Sequence, residues 1–407
     1  MNKQLLIAGG GIGGLAAALA AARAGWRVRL FERAASFSEV GAGIQLGPNV
    51  VRVLRGWGLE PALAEVAAFP QRLRVRDALS GCDRGLLQLA DRMPQRYGAP
   101  YLTVHRADLH ALLLAAVQTQ PGVALRLSAP LAHFTQNAQV VTAQIDNTPA
   151  GPGPAIEGDA LVGADGLWSP VRAWLLHDGP PRLTGHLAYR ALVPQHSLPV
   201  ALRCQDVMVW LGPQLHVVQY PVRGGEWLNL VAFVEGRLPG SDAGAVPDAL
   251  AHWDHGANTA DLQAAMGHCC APLQDLLQAV ASWRLWAMAD RPPIQNAEQQ
   301  TQGRVALLGD AAHPMRPYLA QGAGMAIEDA EALGRNLHQV DAADITVPLA
   351  LRRYALERWQ RNARVQARSL RNGRIFHATG FVRYGRDLAM QLLGERLLDI
   401  PWLYGGR

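Results

Sequence analysis

Residues 5–22 form a run of apolar and small side chains without a single charge, long enough to resemble a membrane span or a signal-peptide core. The pattern inside the run argues otherwise. Leu5-Leu6-Ile7-Ala8 reads as a short buried strand, and five of the residues that follow in the run are glycine, with Gly9, Gly11 and Gly14 in G-x-G-x-x-G order. An Ala/Leu-rich helix is expected over about 12–23, closed by Gly25 in the usual C-terminal manner. A second strand over 28–31 then delivers Glu32, eighteen residues past Gly14. Strand, glycine turn, helix and strand make a βαβ unit, so the chain is expected to be soluble and unprocessed.

Further on, residues 48–54 begin a helix, and His105-Arg106 leads an Ala/Leu-rich helix to about Gln118. Residues 123–127 and 140–145 read as strands, and 149–154, rich in Pro and Gly, as a turn or flexible loop. Residues 161–166 are a buried strand ending in the acidic glycine turn Asp165-Gly166. Strand-like runs dominate 187–234, at 207–211, 215–220 and 228–234, and predict an antiparallel sheet inserted between parts of the nucleotide domain. A last buried strand over 305–308 feeds Gly309-Asp310. No internal repeat is visible.

The glycine spacing has a chemical meaning. Gly9 permits the tight turn, Gly11 lets backbone approach a pyrophosphate, and Gly14 lets the helix pack close to the strand. The helix N-terminus presents free N–H groups and a positive dipole end to the anion. A carboxylate at Glu32 accepts both ribose hydroxyls of an adenosine and disfavours a 2′-phosphate. The second signal, Gly309-Asp310-Ala311-Ala312-His313-Pro314, adds an acidic turn suited to the polyol and phosphate part of a flavin. Together the two predict bound FAD. No second G-x-G-x-x-G with a following helix and spaced acid occurs, so a permanent NAD(P) domain is not expected.

Composition changes the picture little. The 407 residues, 49% hydrophobic, suffice for two or three domains. Cys82, Cys204, Cys269 and Cys270 lack metal-ligand spacing, and no metal is expected; the adjacent pair suits a reducing, cytoplasmic compartment. The net charge of +5 comes almost wholly from scattered arginine, Lys3 being the sole lysine, which argues against nucleic acid. Residues 352–374 hold eight arginines and one acid, Glu357, on a helical pattern with Leu351, Ala355 and Trp359. A solvated helix that packs across two domains or joins a homodimer is the expectation, over stable membrane association.

The N-terminal glycine motif with Glu32, the segment Val162-Gly163-Ala164-Asp165-Gly166-Leu167-Trp168-Ser169-Pro170-Val171-Arg172, and the Gly-Asp segment through Gly322-Ala323-Gly324-Met325-Ala326-Ile327-Glu328-Asp329-Ala330 together resemble the single-component FAD-dependent aromatic hydroxylases. Gly41-Ala42-Gly43-Ile44-Gln45 and His216-Val217-Val218-Gln219-Tyr220-Pro221 look like the salicylate, 3-hydroxybenzoate and 6-hydroxynicotinate hydroxylase branch. The resemblance implies an α/β fold of the p-hydroxybenzoate hydroxylase kind: a Rossmann-like FAD-binding domain interleaved with an antiparallel-sheet substrate domain, plus C-terminal helices. The expected boundaries are 1–75, 101–180 and 286–345 for the FAD-binding parts, 76–100 and 181–285 for the substrate sheet, and 346–407 for the helical segment.

The same resemblance implies site roles. Gly9, Gly11, Gly14, Glu32, Arg33, Arg106, Asp165, Asp310, Ala323 and Gly324 would contact FAD, with the Ala323 and Gly324 amides facing the pyrimidine edge of the flavin. Asp165-Gly166 would lie where FAD and a transient NADH or NADPH both come near. His216 and Tyr220, four apart on one strand and so on one face, would bind the substrate's ring hydroxyl and help remove its proton. Gln45, Pro317 and Tyr318 would touch substrate. The implied reaction is hydroxylation of a small hydroxylated aromatic or heteroaromatic carboxylic acid, with NAD(P)H and O2, through a flavin C4a-hydroperoxide, in aromatic compound catabolism. Arg84, Arg190 and Arg316 are candidates for the carboxylate partner by charge alone. The chain departs from the hydroxynicotinate hydroxylases at Arg316 and Tyr318, where they carry lysine and histidine, and from 3-hydroxybenzoate 6-hydroxylases at Pro317, where they carry glutamine. An FAD oxidase or dehydrogenase without oxygen insertion, or a non-catalytic flavoprotein sensor, are the alternative readings.

Overall fold

The computed structural model describes residues 3–37, 42–146, 152–236, 255–342 and 345–406. The chain divides into two compact units, one from 1–40, 107–181 and 290–369, the other from 41–106, 182–289 and 370–407.

The first unit is built on a six-stranded sheet in the order Thr301–Gln302, Val305–Leu307, Ala160–Gly163, Gln4–Ala8, Arg27–Phe31 and Val123–Arg126. All pairings are parallel except the short 301–307 hairpin. The helix Ile12–Arg23 has the bounds the sequence predicts, and Gly25 follows it at φ +88°. That helix is almost wholly buried, because small residues let the helix Gly322–Ala342 lie close: a Cβ at Gly334 would meet Ala20 Cβ at 2.9 Å. A three-stranded antiparallel sheet, Leu131–Gln136, Val141–Asp146 and Pro152–Gly158, covers one side and shares a core with Leu6, Phe31, Leu161 and Leu307. The loop expected at 149–154 is a strand from Pro152 onward; 149–151 lie outside the described residues.

The second unit holds an eight-stranded sheet. Its strands run, in order, His255–Ala257, Trp283–Asp290, Arg182–Pro194, Trp227–Glu235, Leu215–Val222, Val207–Gly212, Arg72–Asp77 and Asp83–Gln88. The sequence predicts an antiparallel sheet, and most of the pairing agrees. One pair differs: Val207–Gly212 runs parallel to Arg72–Asp77. Period-two alternation splits this sheet into two faces. Leu187 and Tyr189, Leu228 to Val234 at even positions, Leu215 and Val217, and Met208 and Trp210 form one apolar core with the helices Thr259–Met266 and Ala271–Gln278. The opposite face carries the residues of the other parity, including His216, Tyr220, Arg190, Asn229 and Phe233, as the strand registers require.

The arginine-rich C-terminal segment is the expected helix, with Arg352, Arg353, Arg364, Arg371 and Arg374 exposed, but it also has a deeply packed face. The helix Val347–Phe376 is not simply solvated, since Tyr354, Arg358, Asn362, Gln366 and Ser369 along it are buried. The reason is acidic: Glu328 and Asp329 sit opposite and pair with it, as described below. Among the described residues no helix is long and apolar enough to cross a membrane.

Candidate active site

In the first unit the glycine turn is sterically committed. A Cβ at Gly14 would lie 1.9 Å from the Gly9 carbonyl oxygen, so the helix start can press on the turn only without a side chain. Glu32 closes this turn from the next strand, one carboxylate oxygen accepting from Gly10 N at 2.6 Å and the other from Ala34 N at 2.8 Å. Each oxygen keeps a lone pair for a ribose hydroxyl, and Arg33 beside it is exposed. The helix Ile12–Arg23 starts at Gly11 with no side-chain cap, so its N-terminal amides are of the kind that bind a pyrophosphate.

The second glycine signal lies in the same unit. Gly309, at φ +62°, starts a 3-10 turn that exposes Asp310. The helix Gly322–Ala342 begins beside it, so the amides of Gly322, Ala323 and Gly324 have no helical acceptor; the first intrahelical bond from this end is Met325 N to Gln321 O at 2.8 Å. A buried ionic cluster underlies the turn. Asp329 accepts from His313 Nε2, from Gly309 N at 3.2 Å, from Arg358 Nε at 2.7 Å and from Asn362 Nδ2 at 2.9 Å. Arg358 also binds Glu328 at 2.9 Å, which Arg361 pairs with at 2.7 Å. Burial alone raises the Asp329 carboxyl pKa, but the His313 and Arg358 charges with the hydrogen bonds hold it well below the usual carboxylate range.

Asp165 stands at the end of Ala160–Gly163. It accepts from Ser169 Oγ and from Val171 N at 3.2 Å, while Ser169 caps the helix Pro170–Leu176. Burial lifts its carboxyl to about 6, the Ser169 and Val171 hydrogen bonds and the Arg33 charge offsetting only part of the effect. Arg172, on that helix, donates to the carbonyls of Ala311 at 3.2 Å and Ala312 at 2.7 Å, tying Asp165's segment to the Gly-Asp turn. Pro317 and Tyr318 lie in the 3-10 turn Pro317–Leu319, Tyr318 buried. Gln366 donates to Pro314 O at 2.8 Å and Ser369 to Arg316 O, so the C-terminal helix fixes this loop.

The second unit brings Gln45, Tyr220, Arg190 and Arg106 together. Gln45 is buried on Gly43–Leu46, accepts from Tyr101 Oη at 2.5 Å and hydrogen-bonds Tyr220. Gly43 must lack a side chain, because its Cβ would lie 2.5 Å from Tyr220 Cε2. Gly41, named with this motif, is outside the described residues. Arg106 starts the helix Arg106–Gln118, its amide donating to Ala42 O at 2.9 Å. Burial pushes the Tyr220 phenol up, with the Arg190 charge and Gln45 opposing.

His216, on the same strand as Tyr220, has different neighbours. Its ring lies flat on Phe233, with centroids 4.5 Å apart, takes Phe376 on its edge, and shares a 2.7 Å hydrogen bond from Nδ1 to Nε2 of His377. Burial first, then the neighbouring His377 and His186, keep its pKa well below the ordinary histidine value, so the ring is neutral near pH 7.

Local partners sort the three candidate arginines. Arg84 lies 3.8 Å from Asp77 and 3.6 Å from Asp387, and Arg316 binds Asp290 at 2.8 Å. Arg190 meets no carboxylate among the described residues. Its guanidinium is stacked 3.8 Å over Trp286, its Nε is sealed from solvent without an acceptor, and burial, with Arg106 nearby, lowers its pKa to about 10 against the pull of Tyr220. The sequence left this choice open because it depends on which acids fold alongside. Arg172, quoted only within its motif, and Arg358, counted only among the arginines of 352–374, were given no role of their own, and His377 was missed, separated by 161 positions from the ring it contacts.

A family profile described as "FAD binding domain" matches residues 2–208 and 257–376. The chain is 38% identical over 406 residues to 3-hydroxybenzoate 6-hydroxylase of Polaromonas naphthalenivorans, covering 99% of this chain and 96% of that protein. It is 35% identical to 6-hydroxynicotinate 3-monooxygenase of Bordetella bronchiseptica, with 90% of each covered. The solved structure of a salicylate hydroxylase substrate complex superposes with a TM-score of 0.80 at 26% identity, covering 99% of this chain and 95% of that one.

Proposed function

The chain belongs to the FAD binding domain family, among the FAD-dependent aromatic hydroxylases, and from that premise we propose that it hydroxylates a small hydroxylated aromatic carboxylic acid, using NAD(P)H and O2, in the cytoplasm. The observation that carries the substrate class is Arg190: a part-buried guanidinium with an acceptor-less Nε, on the sheet face that also carries Tyr220 and His216. A desolvated cation without a carboxylate is costly, and an aromatic carboxylate relieves it. Trp286 holds the guanidinium plane in place while its donors bind the acid.

When bound and reduced, FAD would activate O2 for transfer to the ring. The protein's own groups prepare the ring. Gln45 and Tyr220 orient the hydroxyl, and neutral His216 accepts its proton, which raises electron density at the ortho and para carbons. Phe233 and Phe376 hold the His216 ring with its Nδ1 on His377, and this reading places the substrate hydroxyl at Nε2. The Gly9–Gly14 turn with Glu32 receives the adenosine half of FAD, and Asp310 with the Ala323 and Gly324 amides the flavin half. Water exclusion by the buried Tyr220 and Gln45 surroundings limits unproductive oxygen use.

The test is to follow NADH and NADPH oxidation by the FAD-loaded protein with a panel of hydroxybenzoates and hydroxypyridine carboxylates, under 18O2. At least one acid accelerates oxidation and gains one labelled oxygen. Oxidation that never yields labelled product, across the panel, removes the hydroxylase reading in favour of an oxidase.

A further inference from the structure

His377 is not needed to bind a hydroxyl group, yet it is buried directly behind His216. It ends the C-terminal helix at a fixed place, its carbonyl accepting from Gln214 N at 3.1 Å. One ring nitrogen, Nε2, meets His216 Nδ1 at 2.7 Å, and the other, Nδ1, lies 3.8 Å from Glu235 Oε1. Glu235 is the far end of the row, with 44% of its side chain exposed. The three groups therefore stand in a row from a buried imidazole to an exposed carboxylate, hydrogen-bonded at the first link and 3.8 Å apart at the second.

We propose that His377 and Glu235 are the proton exit of His216. This rests on the hydroxylase reading above, which places the substrate hydroxyl at His216 Nε2. The phenolic O–H bond breaks and its proton joins Nε2; the proton on His216 Nδ1 passes to His377 Nε2, and the proton on His377 Nδ1 passes to Glu235 and then to bulk water. His377 Nδ1 is sealed from solvent without a hydrogen-bond partner, and a small rotation of the exposed Glu235 carboxylate closes the 3.8 Å step. Each imidazole ends in its other tautomer, and the reverse transfer, from bulk to the phenolate product, restores both. A buried base without such a path would have to keep the proton beside two other histidines, which its depressed pKa disfavours.

The charged and titratable groups facing His377 are His216, His186 and Glu235 from three strands of the sheet, with Arg386 and its partner Asp387 on its own C-terminal segment, Arg386 donating to Phe376 O at 2.8 Å. His186, Glu235 and His377 also bring one ligand atom each within 4.8 Å of one another. Metal binding fits this trio less well. The His186 and His377 rings stack at 4.9 Å and 28°, which sets their in-plane lone pairs side by side rather than at a common point.

His377 acts through His216 and is a positioning and relay residue, so the test reads proton movement and not turnover alone. The oxidised FAD-loaded protein is mixed with 3-hydroxybenzoate, or whichever panel acid the wild type hydroxylates, in weak buffer with a pH indicator, and proton release is timed. His377→Ala slows release at least about tenfold with FAD content and substrate Kd little changed, and added imidazole restores much of the rate. Glu235→Gln, a surface change that leaves folding intact, slows release by a smaller factor. Wild-type release rates in both variants overturn the relay, as does slowed release that imidazole leaves untouched, which assigns His377 to packing. Labelled product from the wild type alongside unchanged release sinks the relay alone, whereas no labelled product from any acid sinks the hydroxylase reading first.

Discussion

In the first unit the groups we propose for the cofactor are mostly backbone amides and the gaps left by glycine, whereas in the second the groups we propose for the substrate are side chains gathered from separate strands and a C-terminal segment. In that proposal Gly9, Gly11, Gly14, Gly322 and Gly324 act by what they lack. Arg190, Tyr220, Gln45, His216 and His377 work by what they carry, and each needs a neighbour distant in sequence to be set in place. Substitutions in the first region should therefore abolish binding outright, and those in the second should change selectivity and rate while leaving the protein folded.

The largest expected effect is at the glycine turn. Gly14→Val drives a side chain into the Gly9 carbonyl, where a Cβ alone already sits at 1.9 Å. We expect purified variant without yellow colour, read as the ratio of flavin to protein absorbance, and a stability loss above about 3 kcal/mol in urea unfolding. A variant retaining stoichiometric FAD contradicts the steric account.

The ionic cluster under the Gly-Asp turn comes next. Asp329→Asn leaves buried Arg358 with Glu328 as its remaining carboxylate, so the cost stays below the roughly 3–5 kcal/mol of a fully uncompensated buried charge. Because the folded pKa of Asp329 lies below its unfolded value, the ionised carboxylate contributes stability above about pH 4 and loses it as the pH falls towards the folded value. The stability difference between wild type and variant, measured by urea unfolding, should shrink on acidification from pH 5 downward; a difference that is constant with pH would place the effect in shape rather than charge.

A smaller and opposite pH effect belongs to Asp165. Its folded pKa of about 6 exceeds the unfolded value near 3.9, so the fold binds a proton that the unfolded chain has released, and stability is lost as pH rises from about 4 to about 6. Asp165→Asn cannot ionise. Relative to wild type it should gain stability across that window, by at most about 3 kcal/mol, less whatever the Ser169 and Val171 hydrogen bonds lose.

The contrast between the regions also governs what could be read from the chain. The helix Ile12–Arg23 was legible at both ends and the strands before and after it to within one residue, because glycine sterics and short-range periodicity fix them locally. The even spacing of His216 and Tyr220 put both on one sheet face, and the strand registers agree. What lay beyond reach were partners set by long-range folding: that Asp77, Asp387 and Asp290 would claim Arg84 and Arg316 but leave Arg190, and that His377 would stand behind His216. The helix itself was legible, but its acidic partners were not, since Glu328 and Asp329 are near it only in three dimensions.

The most direct test of the second region compares kcat/KM for an aromatic hydroxy acid and for its carboxamide in the wild type and in Arg190→Met, with turnover checked by labelled oxygen in the product. The wild type should prefer the acid by about a hundredfold, a charge-assisted pair in a desolvated site, and Arg190→Met should bring that ratio close to one with FAD content unchanged. A variant that keeps the wild-type preference would show that the acid is held elsewhere and would contradict the assignment of this sheet face to the substrate.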